Sequence, residues 1–132
     1  ATLSNGTVST SELADLKICL AHGGGFAPYQ IGRLAHGHKV RAEAHKFSKT
    51  SPKDLLRRFY FDSLVFDPQA LRYLIDLVGA DHVCIGTDAP FDMGDEHPEE
   101  TISAVPRLTG DEHHEVCCGT ALRLLGEGSS GF

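Results

Sequence analysis

The chain has 132 residues, 12 Lys+Arg against 18 Asp+Glu, and a formal net charge of −6 at pH 7. With 41% hydrophobic and 23% charged residues it sits near globular averages, which argues against a disordered, fibrous or disulfide-dense chain. The acidic balance gives no electrostatic reason to expect nucleic acid or an anionic membrane, and no apolar run approaches the ~18–20 residues that cross a bilayer.

Residues 1–14 are polar and rich in Ser and Thr, and read as a frayed end or cut linker. They carry no secretory signal, and the missing initiator Met points to a true start elsewhere. LKICLA (16–21) is a short apolar run stopped by His22 and three glycines, which predicts a buried strand. Pro28 opens a helical stretch with Ile31, Leu34 and Ala35 on its apolar side, and the polar residues 36–50 read as a loop. Ser51-Pro52 looks like an N-cap with Pro at the first helical position. FYFDSLV (59–65) is aromatic and apolar, hence a second strand.

Asp67-Pro68 caps the next helix, where Ala70, Leu71, Leu74, Ile75 and Val78 repeat at helical spacing before Gly79. HVCIGTD (82–88) is a third strand, and its exit APFDMGDEHPEE is a loop. Residues 97–108 are loosely helical, and 111–125 form a helix capped by Asp111 through Val116, Leu122 and Leu125. GEGSSGF is a flexible tail. Three units follow: a polar segment 1–14, a folded body 15–126 and a tail 127–132. Strands alternating with helices predict parallel pairing and α/β architecture. Three such strands make a poor free-standing sheet, so the chain reads as a piece of something larger.

Strand ends at the C-terminal face of α/β proteins collect ligands and catalytic groups. His22 ends the first strand and Asp88 the third, and imidazole plus carboxylate suits a divalent metal such as Zn2+. Taken alone, a strand-end His is more often a satisfied core or capping residue than a ligand, and a strand-end Asp more often still caps the next helix. By period 2, Ile18, Leu20 and His22 share one side, as do Cys84, Gly86 and Asp88. Convergence of His22 and Asp88 therefore predicts Cys19 pointing away from Cys84, towards the helices. Cys19, Cys84, Cys117 and Cys118 contain no C-x-x-C and read as reduced packing thiols of a cytoplasmic protein.

Together with their flanks, these motifs resemble a known family. LKICLAHGGGFAPYQIGRLAHG, FYFDSLVFDPQALRYLIDLVGADHVCIGTDAPFDMGD and GTALRLLG are similar to the C-terminal part of the aminocarboxymuconate-semialdehyde decarboxylases, over about residues 13–126. The resemblance implies the C-terminal part of a (β/α)8 barrel, with parallel strands ending at His22, near Val65 and at Asp88. It implies non-oxidative release of CO2 from an unsaturated or aromatic carboxylic acid, with hydrolysis as the sister chemistry. Asp88 then matches a metal ligand, and His22 matches a general acid/base beside the metal or a ligand itself. Asp62 matches the D-S-L-V block, with either a site role or a local backbone role.

The sequence departs from the pattern in three places. Phe66 stands where the family has His, and Phe cannot transfer a proton. Thr120 stands where the family has Asn. The first-strand H-x-H pair and a middle-strand His have no match, and His36-Gly37-His38 follows a helix instead. A catalytic zinc ordinarily takes three or more protein ligands, so the site is partial, the expectation being a fragment inactive alone. A non-enzymatic reading is a truncated barrel that assembles with itself as a homo-oligomer or with an N-terminal barrel portion. A further reading takes HGGGF as the oxyanion hole of an α/β-hydrolase, but no G-x-S-x-G nucleophile elbow follows. His113-His114 read as solvated, and His45, His82 and His97 carry no motif.

Overall fold

The computed structural model describes residues 16–46 and 48–127; the polar segment 1–14 and residues 128–132 of the expected tail lie outside that description. Three strands, β1 (Cys19–Leu20), β2 (Tyr60–Asp62) and β3 (Val83–Cys84), form one parallel sheet in the order β1-β2-β3. Cys19 pairs with Tyr60 and Leu20 with Phe61, and then Phe61 pairs with Val83 and Asp62 with Cys84. The α/β class and parallel pairing are as expected. The sheet is an open piece rather than a closed barrel.

The ladders are shorter than the apolar runs that announced them. Strand geometry ends at Leu20, Asp62 and Cys84, so His22 and Asp88 lie beyond the last paired residues. Both adopt left-handed backbone, with φ of 55° and 54°. Uncommon outside glycine, such angles turn the chain sharply.

Helix α1 (Ala27–Val40) follows the first strand and runs further than expected, into the polar stretch read as loop. Helix α2 (Pro52–Leu56) starts where Ser51 accepts the Asp54 N–H. Helix α3 (Pro68–Val78) is capped by Asp67, whose carboxylate accepts the N–H groups of Gln69 and Ala70 at 2.9 and 2.8 Å. Its buried face of Leu71, Leu74, Ile75 and Val78 lies in one apolar cluster with Phe61, Val83, Ile102, Val105 and Val116. Phe61 and Val83 are register partners, so this cluster covers one face of the sheet.

Helix α4 (Pro98–Ser103) precedes α5 (Gly110–His114), a π turn (Glu115–Gly119) and α6 (Thr120–Leu125). The N-cap of α5 is Thr109 rather than Asp111. Thr109 and Glu112 form a reciprocal capping box, satisfying two N–H groups where Asp111 would satisfy one. The Val116 carbonyl in the π turn accepts the Ile85 N–H at 2.8 Å, tying the continuation of β3 to the helix. Thr120, fully buried, donates its hydroxyl to the Ala80 carbonyl at 3.1 Å, which gives this departure from the family Asn a local polar role.

Candidate functional site

The site starts from the turn after β1. His22–Gly24 form a 3₁₀ turn, and residues 22, 23, 24 and 25 all have positive φ. Glycine is required here for space as well as angle. A Cβ on Gly24 would stand 2.7 Å from the Phe61 ring, and one on Gly23 would run into Val65 Cγ1. The turn thus lies directly over β2.

Asp62 holds it there. Its Oδ2 accepts the His22 N–H at 2.8 Å, and its Oδ1 accepts Gly23 N–H at 2.8 Å and Leu64 N–H at 3.1 Å. A carboxylate that accepts three backbone donors is a strong, charge-assisted clamp. The sequence alone leaves Asp62 between a local and a site role. Its bonds to residues 40 and 39 positions away make it the residue that positions the His22 turn.

The same hydrogen bonds decide against the oxyanion-hole reading. The N–H of Gly24 bonds the Ala21 carbonyl at 3.0 Å, and that of Gly25 bonds the His22 carbonyl at 2.9 Å. With His22 and Gly23 donating to Asp62, every N–H from 22 to 25 already has a partner inside the turn or on β2. An oxyanion hole needs such donors aimed outward.

On the other side, the loop after β3 brings Asp88 to His22: Nε2 and Oδ2 are 3.5 Å apart. The Asp88 loop is braced by Phe91 N–H to the Asp88 carbonyl at 3.0 Å and Asp95 N–H to the Thr87 carbonyl at 2.8 Å, with a cis Ala89–Pro90 peptide between. The His22 side chain is 63% exposed and that of Asp88 31%, so the pair opens outward and is accessible. The spacing is near that of two donors on one tetrahedral cation, whose bonds of about 2.0–2.1 Å place neighbouring ligand atoms roughly 3.3–3.4 Å apart. The two residues therefore fit part of a divalent-metal site. Among the described residues, no group of three or more His, Cys, Asp or Glu converges as a metal site.

The other sequence candidates lie elsewhere. His36 is exposed, and His38 Nε2 is 2.9 Å from the Ser48 carbonyl, so the H-x-H of α1 does not present a ligand pair. Phe66 is 53% exposed with φ of 52°, just before the Asp67 cap. His82 Nδ1 meets the Phe59 carbonyl at 3.0 Å, and its ring stacks on Tyr60. His113, expected in solvent, is half-buried with Cys117 Sγ 3.7 Å from Nε2.

The expected placement of Cys19 is also corrected. Register puts Cys19 beside Tyr60 and Cys84 beside Asp62, so all four share the face opposite the helices. The two Sγ atoms are 3.8 Å apart. Alternation misled because it breaks at Leu20: the left-handed turn re-aims His22, so His22 and Leu20 do not share a side. Leu20 packs against the helix-side core instead. Cys19 is exposed, so core packing does not describe it, whereas Cys117 is partly buried against the core.

Comparison with known proteins adds a frame. Residues 10–126 match a family model described as Amidohydrolase. Over 116 residues the chain is 36% identical to the 2-amino-3-carboxymuconate-6-semialdehyde decarboxylase of Dictyostelium discoideum, covering 87% of this chain and 32% of that one. The crystal structure of 5-carboxyvanillate decarboxylase from Sphingomonas paucimobilis superposes with a TM-score of 0.71 at 28% identity, covering 86% and 35%. That of a dihydroxybenzoic acid decarboxylase from Polaromonas sp. JS666, with bound manganese and 2-nitroresorcinol, gives 0.78 at 23%, covering 95% and 38%. The chain spans about a third of the length of these proteins.

Proposed function

As this chain belongs to the amidohydrolase family, we propose that it supplies the C-terminal part of the active centre of a metal-dependent decarboxylase. The substrate class is an unsaturated or aromatic carboxylic acid, which loses CO2 without oxidation. The observation that carries this reading is the meeting of His22 and Asp88 beyond the ends of β1 and β3, in a chain 36% identical to a decarboxylase.

Asp88, with His22 beside it, is the residue that would hold a divalent ion such as zinc, which when bound polarises the substrate carboxylate and a neighbouring oxygen. His22 carries the proton. Breaking the C–C bond leaves an electron pair on carbon as CO2 departs, and one proton delivered from the imidazole replaces the lost group. Imidazole is suited to this because it exchanges protons near neutral pH. Asp88 Oδ2 lies 3.5 Å from the ring Nε2, and Asp62 keeps the His22 backbone in register. Solvent restores the proton at this exposed side chain.

A single carboxylate ligand with an imidazole beside it makes a weak site, so the remaining donors and turnover depend on a complementary barrel portion. The chain alone is inactive in this reading. Titration with Mn2+ followed by calorimetry tests the site: weak binding is expected, abolished in Asp88→Ala and weakened in His22→Ala. Tight stoichiometric binding indifferent to both changes sinks the partial-site reading. Mixing the chain with the N-terminal two-thirds of the Dictyostelium relative should restore CO2 release, and the Asp88→Ala chain should not.

A further inference from the structure

We propose that Cys19 and Cys84 form a two-thiolate clamp for a thiophilic divalent cation, on the sheet face opposite the helices. The site is independent of the decarboxylase reading, since it uses neither His22 nor Asp88.

The geometry begins with the sheet order. β1 and β3 are not neighbours; β2 lies between them. Two strand spacings of about 4.8 Å put level residues of β1 and β3 roughly 9–10 Å apart, and Cys19, level with Tyr60, is further staggered from Cys84, level with Asp62. Yet the Sγ atoms approach to 3.8 Å over the β2 backbone, where the Cys84 thiol also donates to the Phe61 carbonyl at 3.4 Å. Each side chain therefore reaches towards the other across the intervening strand.

That arrangement opposes a disulfide and suits a metal. A disulfide needs an S–S bond of about 2.05 Å and Cα atoms no more than about 6.8 Å apart, which β2 prevents while the sheet is intact. Two metal–thiolate bonds of about 2.3 Å at a tetrahedral angle place the sulfurs about 3.8 Å apart, the separation already present. Soft thiolates select zinc-like ions over magnesium or calcium. No third protein ligand converges among the described residues, so water completes the coordination. Cys19 is exposed, which gives the ion a route in.

Burial pushes the Cys84 thiol up to about 12 and, more mildly, raises Cys19; the Asp62 carboxylate adds to both. The pair is thus two thiols near neutral pH. Capture proceeds as two S–H groups plus M2+ giving S–M–S plus two protons, with no change of oxidation state.

The test uses the full chain, reduced and anaerobic, carrying Cys117→Ser and Cys118→Ser so that only this pair of thiols remains. Cadmium chloride is the probe, because sulfur-to-cadmium charge-transfer absorption arises only from thiolate. One Cd2+ per chain with release of two protons is expected. Cys19→Ser or Cys84→Ser should weaken binding at least tenfold, with circular dichroism confirming the fold, while Asp88→Ala leaves the absorption unchanged. Should Cys84→Ser unfold, the exposed Cys19→Ser decides alone. Absorption that survives loss of Cys19, one ion shared between two chains, or a Cys19–Cys84 disulfide formed by mild oxidant with the sheet intact would each overturn the clamp.

Discussion

Asp62 links three backbone donors from two separate stretches of chain to one carboxylate, and its replacement separates geometry from charge. In Asp62→Asn one oxygen remains an acceptor, but the amide nitrogen faces an N–H donor at the other position. Hydrogen bonds to charged groups contribute ~1.5–3 kcal/mol each, and an unsatisfied donor costs about 1–3 kcal/mol. Asp62→Asn is therefore expected to lower stability by roughly 2–4 kcal/mol in urea unfolding and to weaken Mn2+ binding at Asp88 and His22 together. An unchanged midpoint would show that the His22 turn holds itself. Asp62 also marks the limit of what sequence could tell. A carboxylate inside an apolar run is visible, but its partners at residues 22 and 23 are set by parallel pairing across strands. The parity error at Cys19 has the same root: alternation is local, and a left-handed residue two positions past the strand resets it without any residue type announcing it.

Among the elements, the clearest were those whose signals are carried by adjacent residues. Asp67-Pro68 and the Leu71–Leu74–Ile75–Val78 face announced α3 because cap and periodicity lie within one helix. Helix α1 was clear only at its start, since the polar residues that follow Ala35 form helix without needing an apolar partner at each turn. At α5, Asp111 was the nearer acidic residue to the helical run, but Thr109 and Glu112 satisfy each other. Arg72 then bonds both oxygens of Glu112 at 3.2 and 2.9 Å, joining α3 to α5. This pairing, with the Thr109 N–H, holds the Glu112 carboxyl down to about 2, against an ordinary 4.5. A depressed carboxyl contributes stability that is complete above its unfolded value and lost as pH falls through the folded one. The stability gap between wild type and Glu112→Gln should thus be widest above about pH 5 and close between roughly pH 4.5 and 2. Urea midpoints across that range measure it, and a gap independent of pH would reject the linkage.

At the scale of the whole molecule, the helices cover one face of the sheet, while the face carrying Cys19, Tyr60, Asp62 and Cys84 is only partly covered. Neither outer strand has a second partner among the described strands. Parallel sheets are ordinarily buried on both faces, so the isolated chain is expected to self-associate and to bind apolar dyes. Light scattering that reports one copy, with no dye binding, would count against this. The covered face is a core in its own right: Phe61 is fully buried beneath the His22 turn. Phe61→Ala should cost about 3–5 kcal/mol by denaturation, and it should also loosen the turn that rests on its ring.

The hydrogen bonds from the His22 turn to Asp62 reach a residue of the same chain. The placing of the His22 turn is therefore written into this chain itself. A partner docking here would meet a surface whose chemistry is already cast, so the two portions would join as finished parts along a seam between strands. Where the seam runs then decides which changes cripple assembly and which cripple chemistry.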